Sequence, residues 1–353
     1  MIEIDVLPAS HKKSGDAILI RIGTFSYEKQ KENDQTVILI DSGYTGTSEI
    51  IEDYLHDYYR TKTINKVFIT HPDTDHISGL LKLLDSESVK IEKTFILDPW
   101  NHSLELYHKI KDKRVTPNSI EKKLEETMSK LATVLDKLGS KNTEVFAGCC
   151  DEKLGLYILG PTKEYYENLL LEFPGMEKER NVSTEKIYMD KHTEYDPSFK
   201  HFLDNPKTSA RNDSSLIICL CDTQQKPIAL FTGDAGVPSI KRALYFAERK
   251  TKLNLKDIDW FQLPHHGSLK NIDEEILDDL IPNGVFVSSA DDDAEHPSKL
   301  LVNYLIKNSI IYRHIGSSKG ICFLFDGAPS RPGWSSVKDS EPFEKVLKLK
   351  DGV

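Results

Sequence analysis

Three short strings in this chain place metal-binding side chains directly after apolar runs. In KVFITHPDTDHISGL an apolar strand pattern ends at Thr70 and releases His71, Asp73, Asp75 and His76 within six positions. Imidazole and carboxylate are the groups that divalent cations take, and the end of a strand is where a rigid scaffold can aim several of them at one point. In IALFTGDAG a strand of the buried type runs into Gly233-Asp234. A carboxylate at the tip of a central strand can bridge two metals with its two oxygens. In DWFQLPHHGS a further apolar run ends at Pro264 and offers His265 and His266. Taken singly, Asp234 could be a helix N-cap and His265 a hydrogen-bonded loop histidine. Three repeats of strand followed by ligand favour one common site. Such a site suits hydrolysis, because bound cations acidify a water and offset the charge of an anionic substrate.

Those strings need strands that end on a shared edge. Apolar alternation or short apolar runs predict strands at 2–7, 17–22, 37–40, 66–69 and 93–97, and again at 155–159, 215–221, 228–232, 260–263, 284–288, 310–313 and 321–325. Helical spacing predicts helices at 48–59, 76–84, 239–249, 273–280 and 298–307, and one long amphipathic surface helix over 118–138. Two β-rich halves with interspersed helices predict an α/β protein of two facing sheets covered outside by helices. Residues 172–211 are polar, charged and poorly periodic, which predicts an insertion or a lid. Gly79, in the I-S-G-L that opens the helix after the first string, permits a tight start against the sheet.

A chain of 353 residues with 39% apolar content can bury a large core. Its formal charge of -10 excludes nucleic-acid binding through a broad basic surface, so an anionic substrate must be met locally, most economically by metal. No run approaches the length needed to cross a bilayer, and the first residues lack a basic stretch followed by an apolar one. The expected location is the cytoplasm, without membrane attachment. Five cysteines, at 149, 150, 219, 221 and 322, read as reduced structural thiols.

The ordered strings T-H-x-D-x-D-H-x-x-G-L, T-G-D and P-H-H-G-S resemble the metallo-β-lactamase superfamily, and most closely the soluble hydrolase domain of ComEC-type DNA-uptake proteins. Supporting matches are Gly15-Asp16-Ala17-Ile18, Leu39-Ile40-Asp41-Ser42-Gly43, Arg211-Asn212-Asp213-Ser214-Ser215-Leu216 and His296-Pro297. The resemblance implies a four-layer αββα sandwich, with residues 1–353 as one domain and a helical and loop insertion at about 100–210. It further implies two divalent ions, manganese or zinc with magnesium possible. His71 and Asp73 would serve one ion and Asp75 and His76 the other, with Asp234 bridging. His265 would complete the second ion's ligands, and His266 would stand behind them or touch substrate.

Two departures bear on the metal. Most members of the superfamily carry histidine where this chain has Asp73, and a third-motif histidine where it offers Asn212 or Asp213; both changes occur in the ComEC-type subgroup. Exchanging imidazole for oxygen makes the site harder and shifts preference from zinc towards manganese or magnesium. The resulting expectation is a phosphodiesterase or nuclease using a hydroxide held between two metals, acting on DNA, RNA or a nucleotide. Asp75 would also orient the water, and His296 or His266 would give a proton to the leaving oxygen. Hydrolysis of an ester, thioester or lactam, and a regulatory non-catalytic role with a protein partner, are the competing readings.

Overall fold

In the computed structural model, which describes residues 1–10, 12–28, 34–110, 114–176 and 207–336, the first sheet begins with β1 (Ile2–Val6), β2 (Ala17–Thr24) and β3 (Asp34–Ser42), an antiparallel meander. A helix, α1 (Thr47–Tyr54), and a π turn at Leu55–Tyr59 lead to β4 (Thr63–Phe68), which runs parallel to β3. Then come α2 (Thr74–Ser86) and β5 (Lys90–Phe95), parallel to β4. Helices α3 (Ser103–Lys109), α4 (Pro117–Thr127) and α5 (Ser129–Leu138) precede β6 (Cys150–Asp151) and β7 (Leu156–Gly160). The chain continues through α6 (Lys163–Leu170), α7 (Ala210–Asp213), β8 (Ile217–Cys221), β9 (Pro227–Phe231), α8 (Val237–Lys250), β10 (Trp260–Gln262) and α9 (Glu274–Leu280). It then forms β11 (Gly284–Ser288), α10 (Lys299–Lys307), β12 (Ile311–Ile315) and β13 (Ile321–Phe325). One sheet has the order β13-β1-β2-β3-β4-β5 and the other β12-β11-β10-β9-β8-β7-β6.

The period of two along β8 shows how the layers form. Ile218 and Leu220 join the core shared with the first sheet, while Ile217, Cys219 and Cys221 join a second core under α8, α9 and α10. Between the sheets Phe323 of β13 stacks near Trp260 at 4.2 Å and Phe286 at 5.8 Å. On the far side of the first sheet α2 lies against β3. This is the αββα sandwich expected from the sequence.

Most predicted strands and helices appear within a few residues of their expected bounds, with two differences. The single helix expected over 118–138 is two, because buried Met128 leaves the helical conformation (φ -128°) and turns α5 so that Lys130 reaches Ser78 of α2. The stretch expected as an insertion at about 100–210 contributes β6 and β7 to the second sheet, and Ile120, Leu124 and Leu131 to the shared core. Of the proposed lid at 172–211, residues 177–206 lie outside the described residues. All five cysteines are free thiols; Cys219 and Cys221 are buried, whereas Cys149 and Cys150 are exposed.

Two buried charge clusters lie away from the metal-type strings. Glu3 and Asp5 of β1 are neutralised by Arg21 and by Arg331, whose Nη2 donates to both carboxylates at 2.6 Å. His102 sits between Glu144 (3.1 Å) and Glu167 (3.3 Å), with Lys109 on Glu167 and the backbone N–H of Asp98 donating to Glu144. Burial works against its proton, but the two carboxylates win and raise the imidazole above its ordinary 6.5. A histidine that binds its proton more tightly when folded stabilises fully below pH 6.5 and loses that contribution as pH rises through the higher folded value. His102→Gln is therefore expected to cost more in urea melts at pH 6 than at pH 9; an equal cost at both would assign the loss to packing.

Candidate metal centre

The expected ligands other than Asn212, which lies in α7 ahead of β8, stand shortly past the end of a strand. His71 lies in the β4–α2 connection, Asp73 takes the extended N-cap position of α2, and Asp75 and His76 lie in that helix's first turn. Asp234 follows β9, and His265 and His266 follow β10 in a short turn where both have left-handed backbone (φ 49° and 55°). Non-glycine residues in that region carry strain that functional sites tolerate. Here it turns two adjacent imidazoles to different sides of Asp234.

The carboxylate of Asp234 divides the site. Its Oδ2 lies 3.6 Å from Nε2 of His71 and 3.6 Å from Nε2 of His265, and Asp73 Oδ2 stands 3.9 Å from His71. Its Oδ1 lies 3.3 Å from Nε2 of His76, which is 3.7 Å from Asp75 Oδ2. Asp75 is in turn 3.3 Å from Nε2 of His266. The geometry thus differs from the expected pairing: His265 sides with His71, and His266 joins Asp75 and His76. Asn212 presents its amide nitrogen to Asp234 Oδ2 (3.4 Å), while its oxygen accepts from Ser209. As placed, it braces Asp234 rather than offering an oxygen to a metal. The ring of His296 packs 5.5 Å from that of His265, beside Asp293.

One cluster member was quoted in the sequence only as part of G-D-A-I. Asp16, in the β1–β2 connection, offers a ligand atom within 4.8 Å of those of His76, Asp234 and His266. The signal for it was a buried-type acidic residue immediately before a strand. Arg211 was also missed as a contact; its Nη1 donates to Asp73 Oδ1 at 2.9 Å, leaving Asp73 one oxygen for the site.

The donor set fits divalent cations. Nε2 of His71, Nε2 of His76, Oδ1 of Asp234 and Oδ1 of Asp16 are buried without a hydrogen-bond partner among the described residues. Each such orphan costs about 1–3 kcal/mol unless something coordinates it. The opposite ring nitrogens are all engaged, which aims Nε2 inward. Nδ1 of His71 faces Thr70 Oγ1 at 3.2 Å, that of His76 faces Asp41 at 2.8 Å, that of His265 faces Asn271 at 3.1 Å, and that of His266 donates to the Ser288 carbonyl at 2.8 Å. Asp41 also takes the backbone and hydroxyl of Thr70. Asp41→Asn is expected to weaken metal affinity about 10–100-fold by freeing the His76 ring. Unchanged affinity in a competition titration would mean that packing alone orients that imidazole.

Electrostatics follow from the crowding of acids and imidazoles. Burial pushes Asp16 up to about 6 despite His266 and His76. Burial also works upward on Asp75, but His76 and His266 overcome it and hold it at about 2. On His266 burial works downward, and Asp16 and Asp75 outweigh it, raising the imidazole to about 9. Burial, followed by His76, lowers the proton affinity of His71. A concentration of acids strong enough to hold protons on His266 will hold a dication in their place.

Comparison with known proteins adds to this geometry. No curated protein matches the sequence. Among solved structures, the chain is similar to Igni18, a metallo hydrolase from the hyperthermophilic archaeon Ignicoccus hospitalis KIN4/I, at 15% identity and a TM-score of 0.44, over 92% of this chain and 100% of that one. It is also similar to a long form RNase Z from yeast, at 10% identity and a TM-score of 0.36, over 81% of this chain but 37% of that one. The family model of the metallo-beta-lactamase superfamily matches residues 27–120, the segment that carries His71, Asp73, Asp75 and His76, and the αββα architecture is consistent with that superfamily's fold.

Proposed function

We propose that this chain is a metal-dependent hydrolase that cleaves phosphodiesters, as a nuclease or a nucleotide phosphodiesterase. The observation that carries this reading is the set of four carboxylates, Asp16, Asp73, Asp75 and Asp234, converging with four inward-facing Nε2 atoms. His71, Asp73 and His265 would hold one cation, and Asp16, Asp75, His76 and His266 the other, with Asp234 shared. So carboxylate-rich a set favours manganese or magnesium, while the four imidazoles keep zinc in play. Bound there, divalent ions would supply an acidified water and offset charge on a phosphodiester.

The chain's own groups do the rest. Asp75 would accept a hydrogen bond from the attacking water and fix its direction. His296 is half-buried beside the site, its ring 5.5 Å from that of His265, and would pass a proton to the leaving oxygen or contact the phosphate.

The test is to strip the purified protein of metal, restore manganese, magnesium or zinc separately, and follow cleavage of a chromogenic phosphodiester and labelled single-stranded DNA. Cleavage restored by manganese and lost in Asp75→Ala is the expected result. Two bound ions with no phosphodiester cleavage would overturn it in favour of ester, thioester or lactam substrates or a regulatory role.

A further inference from the structure

A cavity of about 540 Å³ lies between the β7–α6 turn and the outer side of α8. Strand β7 is antiparallel to β8 and β8 to β9, so the ends that lead to Pro161 and to Asp234 point the same way. Neighbouring strands are ~4.8 Å apart, which places this hollow two strands, roughly 10 Å, along the metal-bearing edge from Asp234. Helix α8 starts three residues after Asp234, and its positions 238, 242, 245 and 249 recur at helical spacing on one face. That face runs roughly 17 Å away from the edge.

Along it cations alternate with rings. The guanidinium of Arg242 lies 4.4 Å from the ring centre of Tyr165, and that of Arg249 lies 5.7 Å from Tyr245. Tyr245 is 63% exposed, unusual for so large a ring. Arg242 has no ion pair among the described residues, Arg249 reaches only its neighbour Glu248, and Lys250 lines the same hollow. Lys241 is already held by Asp273 and Glu275. Tyr165 donates its hydroxyl to Asp213, next in the chain to the Asn212 that braces Asp234, so hydrogen bonds tie the wall of the hollow to the centre.

We propose that this face is the track on which a single-stranded nucleic acid docks, with bases stacked on Tyr245 and Tyr165, phosphates against Arg242 and Lys250, and the scissile linkage at the metal centre. Aromatic platforms with interleaved cations are what single strands bind. A duplex would bring two phosphate rows against a chain of net charge -10, whereas one strand needs only this stripe. The inference rests on the phosphodiesterase reading and names its substrate class.

The test uses the full chain with its metals and a short labelled single strand with cleavage-resistant phosphorothioate linkages, read by fluorescence anisotropy, beside hydrolysis of a small chromogenic phosphodiester that cannot reach the track. Tyr245→Ala and Arg242→Ala should each weaken oligonucleotide binding about tenfold, with a shallower salt dependence for the arginine variant and an unchanged small-ester rate. Equal binding by variants and parent, or no binding by the parent, would overturn the track. Binding of an acidic peptide in preference to the strand would overturn it in favour of a protein partner. Tenfold losses of binding in a protein that hydrolyses no phosphodiester would support the track while sinking the phosphodiesterase reading.

Discussion

Asp234→Asn is expected to release both cations and abolish turnover. Each oxygen of this buried carboxylate faces a different group of ligands, Oδ1 towards His76 and Oδ2 towards His71 and His265. An amide keeps the shape but surrenders the charge and one of the two acceptors, so neither group retains its shared ligand. Loss of a supporting residue costs about 10–100-fold in metal affinity, and loss of this shared one should exceed that. Elemental analysis of the purified variant gives the metal per chain directly. The shared role is refuted if the variant keeps two equivalents at the parent's affinity.

Gly79→Ala should unfold a large fraction of molecules under conditions where the parent is stable. Alanine inside a helix ordinarily gains about 1 kcal/mol over glycine, so the local preference predicts stabilisation. Here a Cβ would sit 2.0 Å from the carbonyl oxygen of Ser42, a backbone atom that cannot swing away. The same contact region carries Gly79 N–H to Gly43 O and Leu80 N–H to the Ser42 hydroxyl, which tie α2 to the end of β3. Forcing the helix outward breaks those bonds and moves His76 from Asp41, at a cost of about 3 kcal/mol or more. A lower urea midpoint is the expected sign; an unchanged or higher one would mean that α2 does not approach β3 so closely.

The parts of the site legible in the sequence are those in which several ligands share one turn. His71 to His76 could be read because a strand pattern ends at Thr70, and Asp234 and His265 because each follows an apolar run. Asp16 lies on a separate connection, with one acidic side chain and no partner nearby in sequence, so only folding shows that it meets His76. The sides taken by His265 and His266 were illegible for another reason: periodicity says nothing of two consecutive left-handed residues. The central strands β8, β9 and β11 were legible because they are buried on both faces and their runs are almost wholly apolar. Helix α3 was not, since Leu106 is its one fully buried side chain and a single position sets no period.

The metal centre draws its ligands from turns separated along the chain, from Asp16 through His76 to Asp234 and His266. During synthesis the first acids and imidazoles emerge when their counterparts have not yet been made. Four groups on one flexible turn bind a cation weakly, because nothing yet shapes or desolvates them, and the shared carboxylate arrives only after a further long stretch of chain. Loading therefore belongs to the end of folding, once both sheets have docked and β10 has been laid beside β9. The bound ions would then act as a seal on a finished molecule, and a chain interrupted before residue 266 would fail to retain them.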